Sequence, residues 1–315
     1  MSPDAPLLES RRNDAAFDLV GLGEISIDMV ARVERWPAAG QKVPITDLAE
    51  LPGGQIATAT LGCARLGMRT ALMGVVGRDR GGKRALAPLE AAGVDLSGVR
   101  RRKGVRTRSA HIYVRDSDGE RSVLSHRDPA LVVKLGRKRE ALVRSARLLM
   151  ADTTDLGATR PAVDCAVAAG IPVVLDADAL FPDWESLLSR VEFPVVSRHF
   201  ADELGQGSDP RACLDALVGL GAKGAVVTLG EQGAIGRFGD AVIEVPAFRV
   251  DVRDTTGAGD AFHAGFAWSL LRRLPAEACL RASCAVAALN CQGIGAQAGL
   301  PTADRVKALL AGESK

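Results

Sequence analysis

The chain has 315 residues, 47% of them hydrophobic, with 40 basic against 38 acidic side chains and a net charge of +2. Such a length and apolar content can bury one large core or two smaller ones. The near-neutral balance argues against nucleic acid, as do aromatics at only 4% that nowhere interleave with basic runs, and no apolar run approaches membrane-spanning length.

In chain order, residues 1–16 read as a disordered tail, polar through Asp14 and without the apolar stretch of a secretion signal. Phe17–Gly23 reads as the first strand. Gly21-Leu22-Gly23-Glu24-Ile25-Ser26 half-matches a dinucleotide fingerprint, but its third glycine is missing and Ile27–Val33 looks extended rather than helical. Asp28 stands inside the apolar stretch Ile25–Val33. An unpaired carboxylate there would be costly, so it is either exposed or paired with a ligand, and sugar hydroxyls are natural partners. Lys42–Leu51 has no helical period. Pro52-Gly53-Gly54-Gln55 then opens a helix over Ile56–Leu66, and paired glycines at a helix start let a ligand lie against bare backbone.

Thr70–Val76 is the next strand. Gly77–Arg84 approaches a P-loop, with Gly77, Gly82 and Lys83 correctly spaced, but Arg84 stands where Ser or Thr must hold magnesium. A surface turn into a helix over Lys83–Ala92 is therefore expected. The basic runs Arg100-Arg101-Arg102-Lys103 and Arg137-Lys138-Arg139 read as solvated faces, the first alternatively meeting an anionic substrate. Arg108–His126 alternates like a hairpin. Ala110, Ile112 and Val114 share one face, His111, Tyr113 and Arg115 the other, and Asp116-Ser117-Asp118-Gly119 supplies the turn.

Strands over Leu148–Ala151, Pro172–Leu175, Pro194–Val196 and Ala225–Leu229 then alternate with helices such as Arg160–Ala169 and Arg211–Leu220. The pattern predicts an α/β fold: a doubly wound, mostly parallel sheet with helices on both faces. Segments at about 40–52 and 106–127 fall outside the rhythm and read as a small β lid. Ligands of such sheets collect beyond the carboxyl ends of the strands. Thr228-Leu229-Gly230-Glu231-Gln232-Gly233 follows one strand and could present amides to phosphates. The six cysteines form no CxxC pair and read as small buried hydrophobes, which fits a reducing cytoplasm.

The most informative stretch is Asp254-Thr255-Thr256-Gly257-Ala258-Gly259-Asp260. A glycine turn before a helix leaves backbone N–H groups pointing one way, and the helix dipole adds positive potential, so the turn is an anion site. Asp260 places a carboxylate in that site. This makes sense where a hydroxyl must lose a proton while charge develops on a transferring phosphoryl group. The alternative is a plain first-turn acid at a helix cap. The following helix carries Phe262, Phe266, Leu270 and Leu274 every four residues and stops at Pro275, a rigid mount for positioning chemistry.

Together these residues resemble the ribokinase/PfkB family of carbohydrate kinases, from Phe17 to about Leu310. Asp254–Asp260 with Ala261-Phe262-His263-Ala264-Gly265 matches the family's C-terminal signature. Gly53-Gly54, Ala64-Arg65-Leu66-Gly67 and Gly74-Val75-Val76-Gly77-Arg78-Asp79 match its N-terminal pattern, and Gly293–Pro301 resembles the segment closing the nucleotide pocket. The resemblance implies a ribokinase-like kinase domain over 17–312. It makes Asp260 the base and Gly257, Ala258 and Gly259 the anion hole for the γ-phosphate. Ser197, Thr228, Gly230, Gly233 and Asn290 fall on the ATP side. Asp28, Gly53, Gly54 and Thr58 fall on the sugar side. Asp254, Thr256 and Gly295 fall where some members bind a monovalent cation such as K⁺. ATP, Mg²⁺ and a small sugar are the implied ligands, and lid strands that pair between subunits imply a homodimer.

Three departures stand out. Thr58 replaces an Asn after the paired glycines, and Arg253 replaces a small apolar residue. The family's Asn-x-x-Glu motif, which helps organise magnesium, reads Ser197-Arg198-His199-Phe200, leaving the metal to water, ATP oxygens, Glu203 or Asp202. Ser197, Val174-Leu175-Asp176-Ala177-Asp178 and Lys42 lean towards ketohexokinase-like and sulfofructose-kinase-like branches. If Lys42, His111 and Arg115 face the pocket, an anionic sugar is implied; if they face solvent, a neutral ketose or aldose fits as well. A nucleoside kinase on the same fold, and a non-catalytic sugar- or nucleotide-sensing protein motivated by Phe200, are the other readings.

Overall fold

Runs as apolar as Thr70–Gly77, buried at every position, belong in a sheet covered on both faces. The structure, a computed structural model, describes residues 6–8, 14–205, 207 and 209–312. Its strands are β1 (Phe17–Leu22), β2 (Ser26–Val33), β3 (Ile45–Gly53), β4 (Thr70–Gly77), β5 (Asp95–Arg102), β6 (Arg108–Arg115), β7 (Arg121–His126), β8 (Ala146–Asp152), β9 (Val173–Ala177), β10 (Phe193–Ser197), β11 (Ala225–Thr228), β12 (Ala234–Phe238) and β13 (Ala241–Val245). Its helices are α1 (Gln55–Arg65), α2 (Arg80–Ala91), α3 (Arg137–Arg144), α4 (Leu156–Ala168), α5 (Trp184–Leu188), α6 (Arg198–Gly205), α7 (Pro210–Gly219), α8 (Ala258–Leu271), α9 (Ala276–Asn290) and α10 (Ala303–Leu310).

The main sheet runs β13-β12-β11-β10-β9-β8-β1-β4-β5. It is parallel from β11 to β5, and β12 and β13 close one edge antiparallel. One core packs α1, α8 and α9 on one face through Ile56, Leu61, Phe266 and Leu280; the other packs α4 and α7 through Ala162, Val163 and Leu214. This is the doubly wound α/β fold that the alternation of elements predicts. Parallel strands end on one edge, so Glu24 just after β1, Asp152 of β8, Asp176 of β9, Ser197 of β10 and Thr228 of β11 gather there.

A second sheet, β3-β2-β6-β7, takes in both segments expected to form a lid and adds β2, which lies outside them. The β6–β7 hairpin forms as its alternation predicts, but β6 also pairs parallel with β2, far away in sequence. Ala110, Ile112 and Val114 turn inward with Val30 and pack with Leu51 and Ile294. The Gly77–Arg84 segment is a structural turn: Asp79 caps α2 by accepting from Gly82 N at 2.7 Å, and it also takes Thr107 N at 2.8 Å.

Of the tail expected over 1–16, residues 1–5 and 9–13 lie outside the described residues. Pro6–Leu8 differ from a disordered tail. Pro6 bridges Pro275, Leu7 and Leu8 are buried, and Arg273 Nε donates to Leu8 O at 3.2 Å. The six cysteines are buried and unbridged. No described helix is long and apolar enough to cross a membrane.

Candidate active site

Helix α8 begins where Gly257 adopts φ +75°, the left-handed region that glycine enters without penalty. A Cβ there would stand 2.6 Å from Ala296 O, so the turn needs both the conformation and the missing side chain. Asp254, fully buried, braces the turn from behind. Its Oδ1 accepts from Thr256 N at 2.8 Å and its Oδ2 from Gly295 N at 2.7 Å. Asn290 adds Nδ2–H donation to Ala296 O at 3.1 Å and to Thr256 O at 3.4 Å. Ala258 N donates to Thr255 O at 3.2 Å, which leaves the next amides of the first helical turn to face an anion.

Asp260 sits in that first turn, partly exposed. The surrounding protein and then the charges of Asp176 and Asp178 push its carboxyl well above the usual carboxylate range, against the pull of His263 and Arg121. A carboxylate with raised proton affinity beside an anion site can take a proton from a hydroxyl. The β7 residue Arg121 donates to Thr255 Oγ1 at 3.0 Å, and Thr255 Oγ1 donates to Gly119 O at 3.0 Å, so the lid hairpin is tied to the turn.

On the lid side, Asp28 is buried, and Ser26 Oγ donates to its Oδ1 at 2.8 Å. Gly53 and Gly54 are required by close approach. A Cβ on Gly53 would overlap Asp28 Oδ2, and Gly54, at φ +98°, lies against Glu24 O. The region also holds groups that the sequence reading did not single out. Arg108 Nε lies 2.8 Å from Glu24 Oε1 and its NH1 group 3.9 Å from Asp28 Oδ1. Asp152 Oδ2 accepts from Glu24 N at 2.7 Å, and Thr154 Oγ1 bonds Asp152 Oδ1. Gln55 Nε2 reaches Asp178 Oδ2 at 2.5 Å. These groups line the edge formed by strand ends, and an acid at the carboxyl end of an apolar strand was the available signal.

Several expected site residues stand elsewhere. Lys42 is exposed on the loop before β3, and His111 is exposed on the outer lid face. Arg115 is held by Asp118, with its NH2 group 2.5 Å from Oδ2, and lies over Trp36 at 5.5 Å. Thr58 is fully buried and its Oγ1 accepts from Gln297 Nε2 at 3.3 Å. Alternation explains His111 and Arg115: the apolar residues of β6 take the inward face, so their neighbours turn out.

At the ends of β10 and β11, where the resemblance expects the nucleotide, Ser197 Oγ donates to Asp178 O at 2.6 Å and accepts from Phe200 N at 3.0 Å, making it a helix cap for α6. Thr228 ends β11. Gly230 (φ +60°) and Gly233 (φ +97°) shape the turn after it, and a Cβ on Gly233 would overlap Val245 O. Phe200 is buried edge-on against Trp184. Asp202 is paired with Arg198, and Glu203 accepts from Leu180 N at 2.7 Å. Among the described residues no group of three or more His, Cys, Asp or Glu is arranged to hold a metal ion.

Burial pushes Glu24 up to about 7, opposed by Arg108 and reinforced by Asp152. A carboxyl whose folded value is raised lends stability below its ordinary value of 4.5 and loses it as pH rises through about 7. Glu24→Gln keeps an acceptor for Arg108 and removes that loss. The variant is therefore expected to gain on wild type by up to roughly 3 kcal/mol between pH 5 and 8, read by urea unfolding. Equal pH slopes for the two proteins would contradict this.

The pattern of the pfkB family carbohydrate kinases matches residues 16–303. The ribokinase of Bacillus subtilis is 28% identical over 295 residues, covering 92% of this chain and 98% of the relative. The ATP-dependent ribose-1-phosphate kinase of Halopiger xanaduensis is 30% identical over 315 residues, covering 93% and 97%. The structure of Arabidopsis thaliana ribokinase complexed with ribose and ATP is 26% identical, with a TM-score of 0.82, over 94% of this chain and 99% of that one. With nearly its whole length matched, the chain belongs to the pfkB family of carbohydrate kinases.

Proposed function

We propose that this kinase transfers the γ-phosphate of ATP to a hydroxyl of a small, hydroxyl-rich sugar, with Asp260 as the base. The observation that carries this is a carboxyl of raised proton affinity in the first turn of α8, at the mouth of a glycine-built anion site. The sugar hydroxyl gives its proton to Asp260, its oxygen bonds the γ-phosphorus in line, and the bond to the β–γ bridging oxygen breaks to release ADP. First-turn amides and the helix dipole stabilise the charge that spreads over the transferring group. Magnesium, brought in as Mg·ATP, would supply neutralisation of phosphate charge. With Phe200 apolar and Asp202 and Glu203 already paired, its ligands would come from phosphate oxygens and water. Asp28, Ser26, Glu24 and Arg108 form a mixed donor–acceptor set suited to sugar hydroxyls. Lys42 and His111 are exposed and Arg115 is held by Asp118, so none of the three brings its charge to that set for an anionic sugar. ADP release with Mg·ATP across pentoses, hexoses, phospho-sugars and nucleosides tests the reading. Turnover fastest on a neutral sugar supports it; a strong preference for nucleosides or phospho-sugars overturns the substrate class.

A monovalent cation such as K⁺ is proposed behind the turn. Asp254 brings a buried charge there, and Thr256 Oγ1 and Asn290 Oδ1 are buried without a hydrogen-bond partner among the described residues. Replacing K⁺ by tetramethylammonium at constant ionic strength is expected to lower kcat about tenfold or more, since a donor misplaced by an ångström is costly. An unchanged rate would remove the cation.

A homodimer through the lid is also proposed. The outer lid face exposes Leu48 at 55%, Leu124 at 63% and Ile45 at 50%, and an exposed apolar sheet face favours self-association. Leu48→Glu with Leu124→Glu should turn a dimer into a monomer in sedimentation velocity at micromolar concentration. A wild-type monomer, or a dimer that survives both charges, would count against this interface.

A further inference from the structure

His263 follows Asp260 by one helical turn on α8 and is 4% exposed. Its Nδ1 lies 2.8 Å from Gly259 O, and its Nε2 lies 3.4 Å from Val195 O and 3.6 Å from Asp176 Oδ1. Every polar atom given to the ring, among the described residues, is an acceptor. A neutral imidazole carries one N–H, so its other nitrogen would aim a lone pair at oxygen. The arrangement therefore calls for one more proton than a neutral ring beside a carboxylate holds. That proton resides either on Nε2 or on Asp176, itself only 4% exposed.

The surroundings make this proton consequential. Asp176 and Asp178 stand at the end of β9, Asp152 at the end of β8 and Asp260 on α8, with Arg121 arriving from β7 and the uncharged Gln55 amide from α1. Burial and the neighbouring Asp178 and Asp152 charges push the Asp176 carboxyl well up, which favours retention of a proton by the pair.

We propose that His263 and Asp176 together hold a proton in the resting enzyme and thereby position and tune Asp260. This rests on the reading of Asp260 as the base. The Nδ1–H donates to the carbonyl of Gly259, the peptide that carries Asp260, and so fixes the direction of its side chain. The shared proton offsets the Asp176 charge, so Asp260 ionises without an uncompensated carboxylate beside it. His263 is a positioning residue, since it meets Asp260 and the sheet rather than substrate.

Two measurements decide it. The first is the pH profile of kcat/KM for the sugar at saturating Mg·ATP. In His263→Gln the Asp176 carboxylate stands uncompensated and its charge raises the proton affinity of Asp260, so the acid limb should move up by about one pH unit, roughly a tenfold loss on that limb. Asp176→Asn added to His263→Gln removes the uncompensated charge and should return the limb towards wild type. A purely structural role predicts a lower rate with an unmoved limb, or a second substitution that only adds damage; either result overturns the proposal. The second is the imidazole ¹⁵N spectrum of the wild-type protein at neutral pH, tractable with four histidines. Protonated Nδ1 with Nε2 protonated or accepting a proton from Asp176 supports the pair. A bare Nε2 with no proton partner overturns it, whether or not the variants fold. If wild type phosphorylates no sugar, the Asp260 reading fails, while the nitrogen spectrum still decides the proton.

Discussion

Asp260→Asn is expected to lower kcat by about a thousandfold, within the range that a positioned general base contributes. Asparagine matches the carboxyl in size and keeps an acceptor, but it cannot take the hydroxyl proton. ATP and sugar affinities, read by calorimetry, should change less than about threefold, because the anion turn is built from backbone rather than from this side chain. Stability should move the other way. A carboxyl whose proton affinity is raised in the folded state contributes stability at low pH and loses it as pH rises through the raised value. At pH 8 the amide escapes that loss, so Asp260→Asn should unfold at a higher temperature than wild type. Lower activity with higher stability at one residue marks a group held in a costly state for function. A fall in kcat of less than about tenfold would remove Asp260 from the role of base.

The contrast between Asp260 and Arg108 shows what the chain discloses before it folds. Asp254–Asp260 is contiguous, so its turn, its helix and its carboxylate are all written in seven residues. Asp28 was conspicuous because a charge inside an apolar strand has to be accounted for, and it is buried beside Ser26 and Arg108. Arg108, Glu24, Asp152 and Asp176 meet only because β1, β8, β9 and β6 are brought together by two sheets, one with a long-range parallel pairing of β2 and β6. No local pattern encodes that pairing. The basic residues of the lid show the converse. Alternation correctly grouped His111, Tyr113 and Arg115, but the apolar set opposite them belongs inward, and that places the basic set outside. The tail carried a readable clue in Leu7-Leu8, whose burial against the helical face outweighs their polar surroundings.

Gly257→Ala should damage both the fold and the rate. The residue sits at φ +75°, where a side chain costs about 1–2 kcal/mol, and the added carbon would meet Ala296 O at 2.6 Å and Ala296 Cα at 2.7 Å. Those are backbone atoms of the segment that Asp254 and Asn290 hold in place, so the turn itself has to move. Displacing amides that stabilise a developing charge costs on the order of a hundredfold to a thousandfold in kcat. The variant should therefore lose both stability and rate. Gly259→Ala separates the causes, because a Cβ there has no neighbour within 4 Å and φ lies outside the left-handed region. It should fold as well as wild type, and any loss of rate must come from crowding the phosphoryl group in the open space over the helix start. Equal thermal stability of the two variants would contradict the steric account of Gly257. A fully active Gly259→Ala would mean that the transferring group does not lie against that amide.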